Sequence, residues 1–416
     1  MKRLFVLLVA VLLATTAFAT PPPPEGGEIT FLSTYAADDP LYIHALDAFH
    51  GDFPDVTVTQ LGLDLSDGST MTMDALLAAG LAPNVYSDYI GRVSKYLVPE
   101  YALPLNDVVR DLDMYLPGVL EPYTRDGNVM GLPQPGGAQG MVINADLMRA
   151  IGFEVRWNWT IAEFLEMCEL VRRHYDGEKW GTGMFAANQS GDYLINNWFA
   201  SFNVDYYQGG DYTKTTIASS GGEKVYRFFQ MLVRGGYIPE GAETLTDDDY
   251  VLYWARGELA ATAFFPSWVK PYQDVVAEQG YDVFEYRFVP FPSEDGKGTP
   301  TYVSNAAIVV QNTGTEADIW AARFAEYFND GWVQTQISNT LAIPNRSDAE
   351  FLPDNDRVAE TARIVADYGI MDVGLTTPFF APRRPLHFPI LQDVLRLRVT
   401  PEEGIARYEA ALNSVQ

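Results

Sequence analysis

Short apolar runs alternate with amphipathic segments along most of the chain, and this alternation constrains the fold more than any other feature. The apolar runs lie at 29–32, 56–59, 84–87, 141–144, 260–265 and 306–310. Each run has the length of a strand rather than of a buried helix. Strands that alternate with helices in this way predict an α/β fold with mainly parallel sheets flanked by helices.

Capping signals mark where some of the helices begin. Thr160 and Glu163 have the spacing of a capping box, and Thr315 and Asp318 repeat that spacing later in the chain. We therefore expect helices to begin after Thr160 and after Thr315. Further helices are predicted at 73–81, 225–234, 248–256 and 401–415.

Cys168 is the only cysteine, so an internal disulfide is excluded and a hydrophobic core must supply the stability. It recurs with Ile161, Phe164 and Val171 on one face of the helix predicted after Thr160. We therefore interpret Cys168 as a buried core residue and not as a reactive thiol.

The amino terminus has the layout of a secretory signal peptide over residues 1–19. Lys2 and Arg3 precede an apolar run at 4–13, and Ala17-Phe18-Ala19 forms a small-residue cleavage site. A proline- and glycine-rich leader is predicted at 20–27. The apolar run is too short to span a bilayer. No cysteine stands at the cleavage point for lipid attachment, so we expect a soluble periplasmic or secreted protein.

The length and the net charge of the chain limit its domain organisation and the partners it can bind. A mature chain of about 395 residues is too long for one ordinary core, which favours two lobes. Loss of Lys2 and Arg3 takes the net charge from -27 to about -29. Such acidity disfavours nucleic acid and anionic lipid as partners.

Common catalytic and cofactor motifs are absent from the sequence. It contains no G-x-S-x-G elbow, no P-loop and no G-x-G-x-x-G after a strand. The four histidines have no metal-ligand spacing and lie at His44, His50, His174 and His387. We therefore predict no catalytic residues, no metal and no cofactor. Tyr206 and Tyr207 leave two interpretations open, a ferric-iron site or a hairpin, and the turn-forming residues around them favour the hairpin.

An ordered series of short motifs resembles the extracellular solute-binding proteins that include the maltose-binding type. The series runs over nearly the whole mature chain, with Asn84 where an aspartate is usual. Its segments are 78–85, 103–107, 126–133, 142–147, 159–164, 255–261 with 266–268, and 342–346.

The resemblance implies two α/β lobes joined by a hinge, with the ligand in the cleft between them. The first lobe is expected at 28–137 plus 301–342 and the second at 138–300 plus 343–416. The hinge crossings are expected near 137–140, 298–302 and 342–346. The implied partners are a small-molecule ligand, here a mono- or oligosaccharide, and the membrane permease subunits of an ABC importer. A monomer is implied as well.

Candidate ligand-binding residues follow from the strand ends and from the resemblance. Ligands of open α/β sheets lie beyond the carboxyl ends of the strands. Sugars need aromatic platforms together with side chains that donate and accept hydrogen bonds. Strand ends and the first predicted crossing supply Tyr35, Asp88, Tyr89, Gln139, Ser304 and Asn305. The resemblance implies ligand contacts in the polar and aromatic stretch after Gly183, which contains Asn188, Tyr193 and Trp198. The resemblance adds Trp268, at a position where the family commonly stacks a tryptophan on sugar.

Other functions stay open at this point. The same fold can bind a peptide, a polyamine or a polyol phosphate. A phosphate stays open because an arginine pair suits it and the chain contains Arg383-Arg384. A secreted glycoside hydrolase is a second alternative, because 55 acidic residues can hide a catalytic pair. A scaffold protein would need a large exposed apolar patch, to which no sequence feature points.

Overall fold

A computed structural model describes residues 26–62, 71–207, 209–339, 342–350 and 356–415. The predicted signal peptide and most of the predicted leader lie outside the described residues. The strands are β1 (Gly27–Ser33), β2 (Val56–Gly62), β3 (Val85–Tyr89), β4 (Thr124–Arg125), β5 (Asn128–Val129), β6 (Leu132–Ala138), β7 (Gly140–Asn144), β8 (Ala261–Phe264), β9 (Tyr286–Val289) and β10 (Val303–Val310).

The helices lie between and after these strands. They are α1 (Pro40–Asp52), α2 (Met71–Ala78), α3 (Ile90–Val93), α4 (Ala145–Ile151), α5 (Ile161–His174), α6 (Asp192–Ser201), α7 (Glu223–Arg234), α8 (Asp247–Ala255), α9 (Val269–Glu278), α10 (Ala317–Tyr327), α11 (Gly331–Ser338), α12 (Asp356–Tyr368), α13 (Phe380–Arg383), α14 (Phe388–Leu395) and α15 (Pro401–Asn413).

The larger sheet has five strands in the order β2-β1-β3-β10-β6. Strand β1 pairs in parallel with β2 and β3, whereas β10 is antiparallel to both β3 and β6. The expectation of mainly parallel sheets is therefore met in one half of this sheet only. The other half is antiparallel because β6 carries the chain towards the second sheet and β10 brings it back.

Helices cover both faces of the five-stranded sheet, and the residues of each strand alternate between two cores. Phe31, Val85 and Ile308 belong to one core, which includes Phe324 and Phe328 from α10 and the segment after it. Their neighbours Leu32, Tyr86 and Val309 belong to the core on the other face. The alternation follows from the two-residue period of a strand. It makes this sheet the rigid base of one lobe.

The second sheet has three strands in the order β8-β7-β9, and both pairings are antiparallel. Its residues belong to the largest core, in which α5, α6, α7, α14 and α15 also bury side chains. The protein thus has the two-lobe fold predicted from the sequence. The lobe boundaries along the chain stay a prediction.

Three chain segments lie side by side where the two sheets meet. The backbone N–H of Gln139 donates to the Tyr302 carbonyl (3.2 Å), and Thr301 Oγ1 donates to the Gln139 carbonyl (2.6 Å). Gly136 and Ile343 exchange backbone hydrogen bonds of 3.1 and 2.7 Å. Each of the three predicted hinge crossings contributes to this set of contacts.

The structure confirms one of the two predicted helix-capping boxes and contradicts the other. The Thr160–Glu163 capping box is confirmed at the start of α5. The box predicted from Thr315 and Asp318 is wrong, because the Asp318 carboxylate accepts hydrogen bonds from Thr313 and Gly314 instead. Strand β1 already begins at Gly27, the last residue assigned to the leader.

Burial confirms the interpretation of the single cysteine. The Cys168 side chain is fully buried on the core face of α5, and burial raises the pKa of its thiol well above the ordinary range. Among the described helices, none has both the length and the apolar composition that a membrane span requires.

Candidate functional site

The first wall of the site is one edge of the five-stranded sheet. Strands β1 and β3 end at this edge, and β10 begins there because it runs in the opposite direction. Asp88 and Tyr89 are the last residues of β3, Ser304 and Asn305 lie near the start of β10, and Tyr35 follows β1. All five line one cavity.

The second wall is built from helix starts and loops of the other lobe. Tyr193 comes from the first turn of α6, Phe265 follows β8, and Tyr272 lies on α9. Asp247 begins α8 and approaches the turn before α6 closely. Gly191 has a φ of 72°, and a Cβ there would lie 2.5 Å from the Asp247 Cβ, so the close approach requires glycine.

The walls enclose a cavity of about 620 Å³. This volume lies within the range of about 300–1,000 Å³ that small-molecule sites commonly have. Its lining comprises Thr34, Tyr35, Asp88, Tyr89, Arg92, Gln134, Pro135, Gly137, Ser190, Gly191, Tyr193, Asp247, Asp248, Phe264, Phe265, Ser267, Tyr272, Ser304, Asn305, Ala306, Ile337, Ala342 and Arg384.

The charged side chains of the first wall form an ion pair with each other. Arg92 donates to both carboxylate oxygens of Asp88, at 2.7 and 2.6 Å. The same carboxylate accepts from the Tyr86 hydroxyl (2.7 Å) and from the Tyr89 backbone N–H (2.6 Å). The charges of Asp88 and Arg92 are thus satisfied within the protein.

A second bidentate pair stands at the other side of the cavity. Arg384 donates to both oxygens of Asp192, at 2.9 Å each, and both side chains are buried. The Arg384 guanidinium also lies 5.3 Å from the centre of the Tyr89 ring, within the range of a cation–π contact. Arg384 therefore joins the C-terminal segment to α6 and to the first wall.

Tyrosine rings meet between the two walls. The Tyr89 hydroxyl is hydrogen-bonded to the Tyr302 hydroxyl, and the Tyr89 and Tyr193 rings lie 6.0 Å apart in an edge-on contact. Tyr193 also packs against Phe265 at 5.4 Å. Burial raises the pKa of Tyr89 far above its usual value and that of Tyr35 to about 12, so both phenols stay protonated and neutral.

The carboxylates of the second wall have hydroxyl partners instead of cations. Ser190 Oγ donates to Asp247 (3.1 Å), and the Tyr272 hydroxyl donates to Asp248. Burial raises the pKa of Asp247 from 3.8 to about 6, and the neighbouring Asp248 adds to the rise. This wall is therefore the acidic side of the cavity.

The structure brings six of the ten predicted ligand-binding residues to the cavity: Tyr35, Asp88, Tyr89, Tyr193, Ser304 and Asn305. Three others lie elsewhere. Trp198 is 2% exposed in the core of the second lobe, where it packs against Phe164, Phe228 and Phe291. The periodicity that places it on α6 also directs it inwards.

Gln139 and Asn188 are occupied by local contacts. Gln139 is fully buried at the crossing, where its side chain accepts a hydrogen bond from Asn197. Asn188 accepts from the Ser190 backbone N–H (2.8 Å) and so stabilises the turn before α6. The Trp268 side chain lies outside the described part of the structure.

Several lining residues were not predicted from the sequence. Arg92 follows Asp88 at helical spacing, and this spacing is a signal that the sequence itself contains. Arg384 was considered only as part of a phosphate site. Gln134, Asp247 and Tyr272 carry no local motif, because their positions depend on contacts between segments far apart in the chain.

The tyrosine pair and the arginine pair have structural partners. Tyr206 is buried and donates to Asn196 Oδ1 (2.8 Å), while Tyr207 accepts from Arg383 (3.1 Å) and forms an antiparallel bridge with Thr215. The bridge agrees with the hairpin interpretation. Arg383 also donates to the backbone carbonyls of Leu412 and Val415 near the carboxyl terminus. Within the described ranges, no cluster of His, Cys, Asp or Glu suits a metal ion.

Solved structures with the same architecture are numerous. The GacH receptor of Streptomyces glaucescens, solved unliganded and with acarbose, has a TM-score of 0.74 and 18% identity over 94% of this chain and 98% of its own. An ABC substrate-binding protein of Listeria monocytogenes in complex with cycloalternan has a TM-score of 0.75 and 16% identity, with coverages of 94% and 98%. A maltose-bound MalE3 of T. maritima has a TM-score of 0.72 and 16% identity over 94% of this chain and 100% of its own.

A search among curated proteins gives no sequence match. The sequence model of the bacterial extracellular solute-binding proteins matches residues 36–330, which is well over half of the chain. The match covers most residues of both walls, with Tyr35 and Arg384 among the residues outside it, and the two-lobe fold agrees with it. The chain therefore belongs to the family of bacterial extracellular solute-binding proteins.

Proposed function

We propose that this protein captures a neutral carbohydrate between its lobes and delivers it to an ABC importer. The observation that carries the proposal is a cavity of about 620 Å³ with aromatic rings on both walls and its arginines already paired. Sugars present apolar ring faces and a rim of hydroxyl groups. Tyrosine rings suit the faces, and neutral amides and hydroxyls suit the rim.

The pairing of the cavity cations argues against a phosphate ligand. Arg92 and Arg384 are the cations among the described lining residues, and each is bound through two hydrogen bonds to an aspartate. A phosphate would have to displace a buried carboxylate from either arginine, which leaves that carboxylate unpaired at a high energetic cost.

A cationic amine is the alternative that one observation favours. Asp247 and Asp248 face the cavity with hydroxyl partners, and no basic side chain of the described residues pairs with either of them. Asp247 has a pKa of about 6, so a fraction of it is protonated in mildly acidic conditions. The aromatic rings around it serve a sugar as well as an amine, and a direct comparison of the two ligand classes decides between them.

The solved structures support the sugar. The three similar structures were solved with acarbose, cycloalternan and maltose as ligands. We infer from the family and from residues 1–19 that the mature protein works outside the cytoplasm, in the periplasm or in secreted form. We further propose that it acts as a monomer, that it does not hydrolyse its ligand, and that its lobes are 28–137 plus 301–342 and 138–300 plus 343–416.

A thermal-shift screen of the mature protein tests the ligand class. The panel contains maltose, maltotetraose, D-tagatose, spermidine, glycerol 3-phosphate and a tripeptide. A ligand that binds only the folded state stabilises it by about 2.7 kcal/mol at a hundredfold excess over its dissociation constant. We expect a sugar alone to raise the melting temperature. A shift with spermidine or glycerol 3-phosphate and none with any sugar would overturn the carbohydrate.

Chromatography of the incubated sugar tests the absence of catalysis. We expect the bound maltose or maltotetraose to be recovered intact after long incubation with the protein. Release of shorter sugars, lost in the Asp247→Asn variant, would instead make the protein a hydrolase.

A further inference from the structure

One side-chain amide nitrogen in the first wall lacks a hydrogen-bond partner among the described residues. Gln134 lies on β6, lines the cavity and is 1% exposed. Its Oε1 accepts a long hydrogen bond of 3.4 Å from the Ser87 hydroxyl. Its Nε2 makes no hydrogen bond to any described residue. The Gln134 amide also interacts with the Tyr35 phenol, whose pKa it lowers against the larger effect of burial, but no hydrogen bond of normal geometry joins the two side chains.

Two neighbouring amides donate hydrogen bonds, whereas Gln139 Nε2, at the crossing and outside the cavity lining, also lacks a partner among the described residues. Asn305, opposite on β10, donates to the Tyr123 hydroxyl (2.7 Å) and to the Gln134 carbonyl (3.2 Å). Gln334 is fully buried as well, but it donates to Asn329 Oδ1 (3.2 Å) and accepts from the Asn345 backbone N–H (2.8 Å). Leaving a buried donor unpaired destabilises a folded protein, so native structures contain few such groups.

We propose that Gln134 Nε2 is a ligand-binding donor, which hydrogen-bonds an uncharged oxygen of the solute at the sheet-edge wall of the cavity. The inference rests on the proposed function and deepens it, because it names the protein atom that donates a hydrogen bond to one ligand hydroxyl. An uncharged acceptor fits since the amide is neutral and the nearby Asp88 and Arg92 satisfy each other. The unpaired donor of the ligand-free protein is then satisfied on binding.

Two methionine variants separate a ligand contact from a structural one. Methionine has nearly the length of glutamine and lacks its hydrogen-bonding groups. In Gln134→Met we expect the ligand-free melting temperature to stay equal or rise, because an unpaired donor is removed. The affinity for maltose, or for the sugar that gives the largest shift in the panel, should fall about tenfold by calorimetry. In the control Gln334→Met, the ligand-free melting temperature should fall and the affinity should be retained.

The outcomes distinguish this inference from the proposed function. If Gln134→Met destabilises the ligand-free protein as much as Gln334→Met does, the amide is a structural partner and the inference is wrong. Unchanged sugar affinity in Gln134→Met would also overturn it. If the wild-type protein binds spermidine and no sugar, the carbohydrate proposal fails. The Gln134 inference then fails with it, because protonated spermidine offers no acceptor for Nε2, whereas unchanged sugar affinity in Gln134→Met overturns the inference alone.

Discussion

The two walls of the cavity are made in different ways. The first wall is a sheet edge, where Asp88 and Tyr89 are placed by the strand that carries them, and Asp88 pairs with Arg92 only four positions away. The second wall is assembled from separate segments, and Asp192 pairs with Arg384 across 192 positions of the chain. Local structure thus determines one wall, and tertiary packing determines the other.

Because the two walls are built differently, a substitution should affect the stability of the protein differently in each. The first wall stands on a sheet with a core on each face, so loss of one side chain leaves its backbone supported. The second wall depends on a few contacts that join α6, α8 and the C-terminal segment. We therefore expect variants of the second wall to change stability more than matched variants of the first.

The largest effect is expected from the two arginines. Arg384→Met leaves the buried Asp192 carboxylate unpaired and should reduce the free energy of unfolding by about 3–5 kcal/mol. Arg92→Met should cost less, because Asp88 keeps its hydrogen bonds from the Tyr86 hydroxyl and the Tyr89 backbone N–H. Urea denaturation of the ligand-free proteins measures both. Equal losses would show that the walls do not differ in this respect.

A pH-dependent effect is expected at Asp247. Its pKa is about 6 in the folded protein and about 3.8 when unfolded, so the folded state binds the proton more tightly. The contribution of Asp247 to stability is therefore most favourable below about pH 4, falls as the pH rises through this window, and carries the full penalty above about pH 6. Asp247→Asn should raise the free energy of unfolding near pH 7.5 by at most about 3 kcal/mol, with a smaller gain near pH 4.

Asp249 provides the matched control on the same helix. Its carboxylate accepts hydrogen bonds from the Thr246 backbone N–H (3.0 Å) and from the Thr246 hydroxyl (2.8 Å) in a capping box. Asp249→Asn should therefore lower stability, by about 1 kcal/mol. If both asparagine variants change stability in the same direction at neutral pH, burial does not destabilise the Asp247 carboxylate.

Ligand affinity tests the aromatic part of the second wall. Tyr193→Ala removes a ring that contacts Tyr89 and Phe265 and faces the cavity, and the affinity for the bound sugar should fall at least tenfold by calorimetry. Tyr253→Ala removes a ring that packs on Trp180 in the same lobe, and its affinity should be unchanged. Equal affinities in the two variants would remove Tyr193 from the site.

The smallest effect compares two similar helix starts. Thr160→Ala breaks a complete capping box and should cost about 1 kcal/mol. Thr315→Ala should cost only a few tenths, because Asp318 is satisfied by Thr313 and Gly314. Thermal unfolding of both variants measures the difference. A similar loss from the two would mean that the Thr315 side chain also caps its helix.

Sequence reasoning succeeded where local periodicity decides the structure. The runs that became β1, β3 and β10 were recognisable, and the strand-end rule then selected Tyr35, Asp88 and Asn305, all of which line the cavity. The fold class and the family also followed from the ordered motifs. Trp198 shows the limit, because a tryptophan on an amphipathic helix can face either a ligand or the core.

The residues that sequence reasoning missed have positions set by distant segments. Asp247 resembles an ordinary first-turn acid of a helix, and only its approach to Gly191 reveals that it faces the cavity. Gln134 lies in a proline- and glycine-rich strand, where no spacing distinguishes a binding amide from a structural one. Such assignments need the three-dimensional pairing of strands and helices.

The solitary, buried thiol has a practical consequence. Cys168 is packed so tightly that a Cβ on Gly181 would lie 2.4 Å from its sulfur, and its raised pKa keeps it in the unreactive thiol form. A cysteine introduced at Ser267, in the cavity wall, would therefore be the one site that a fluorescent maleimide modifies in the folded protein. The protein could therefore be converted into an optical sensor of its own solute without removal of a native cysteine.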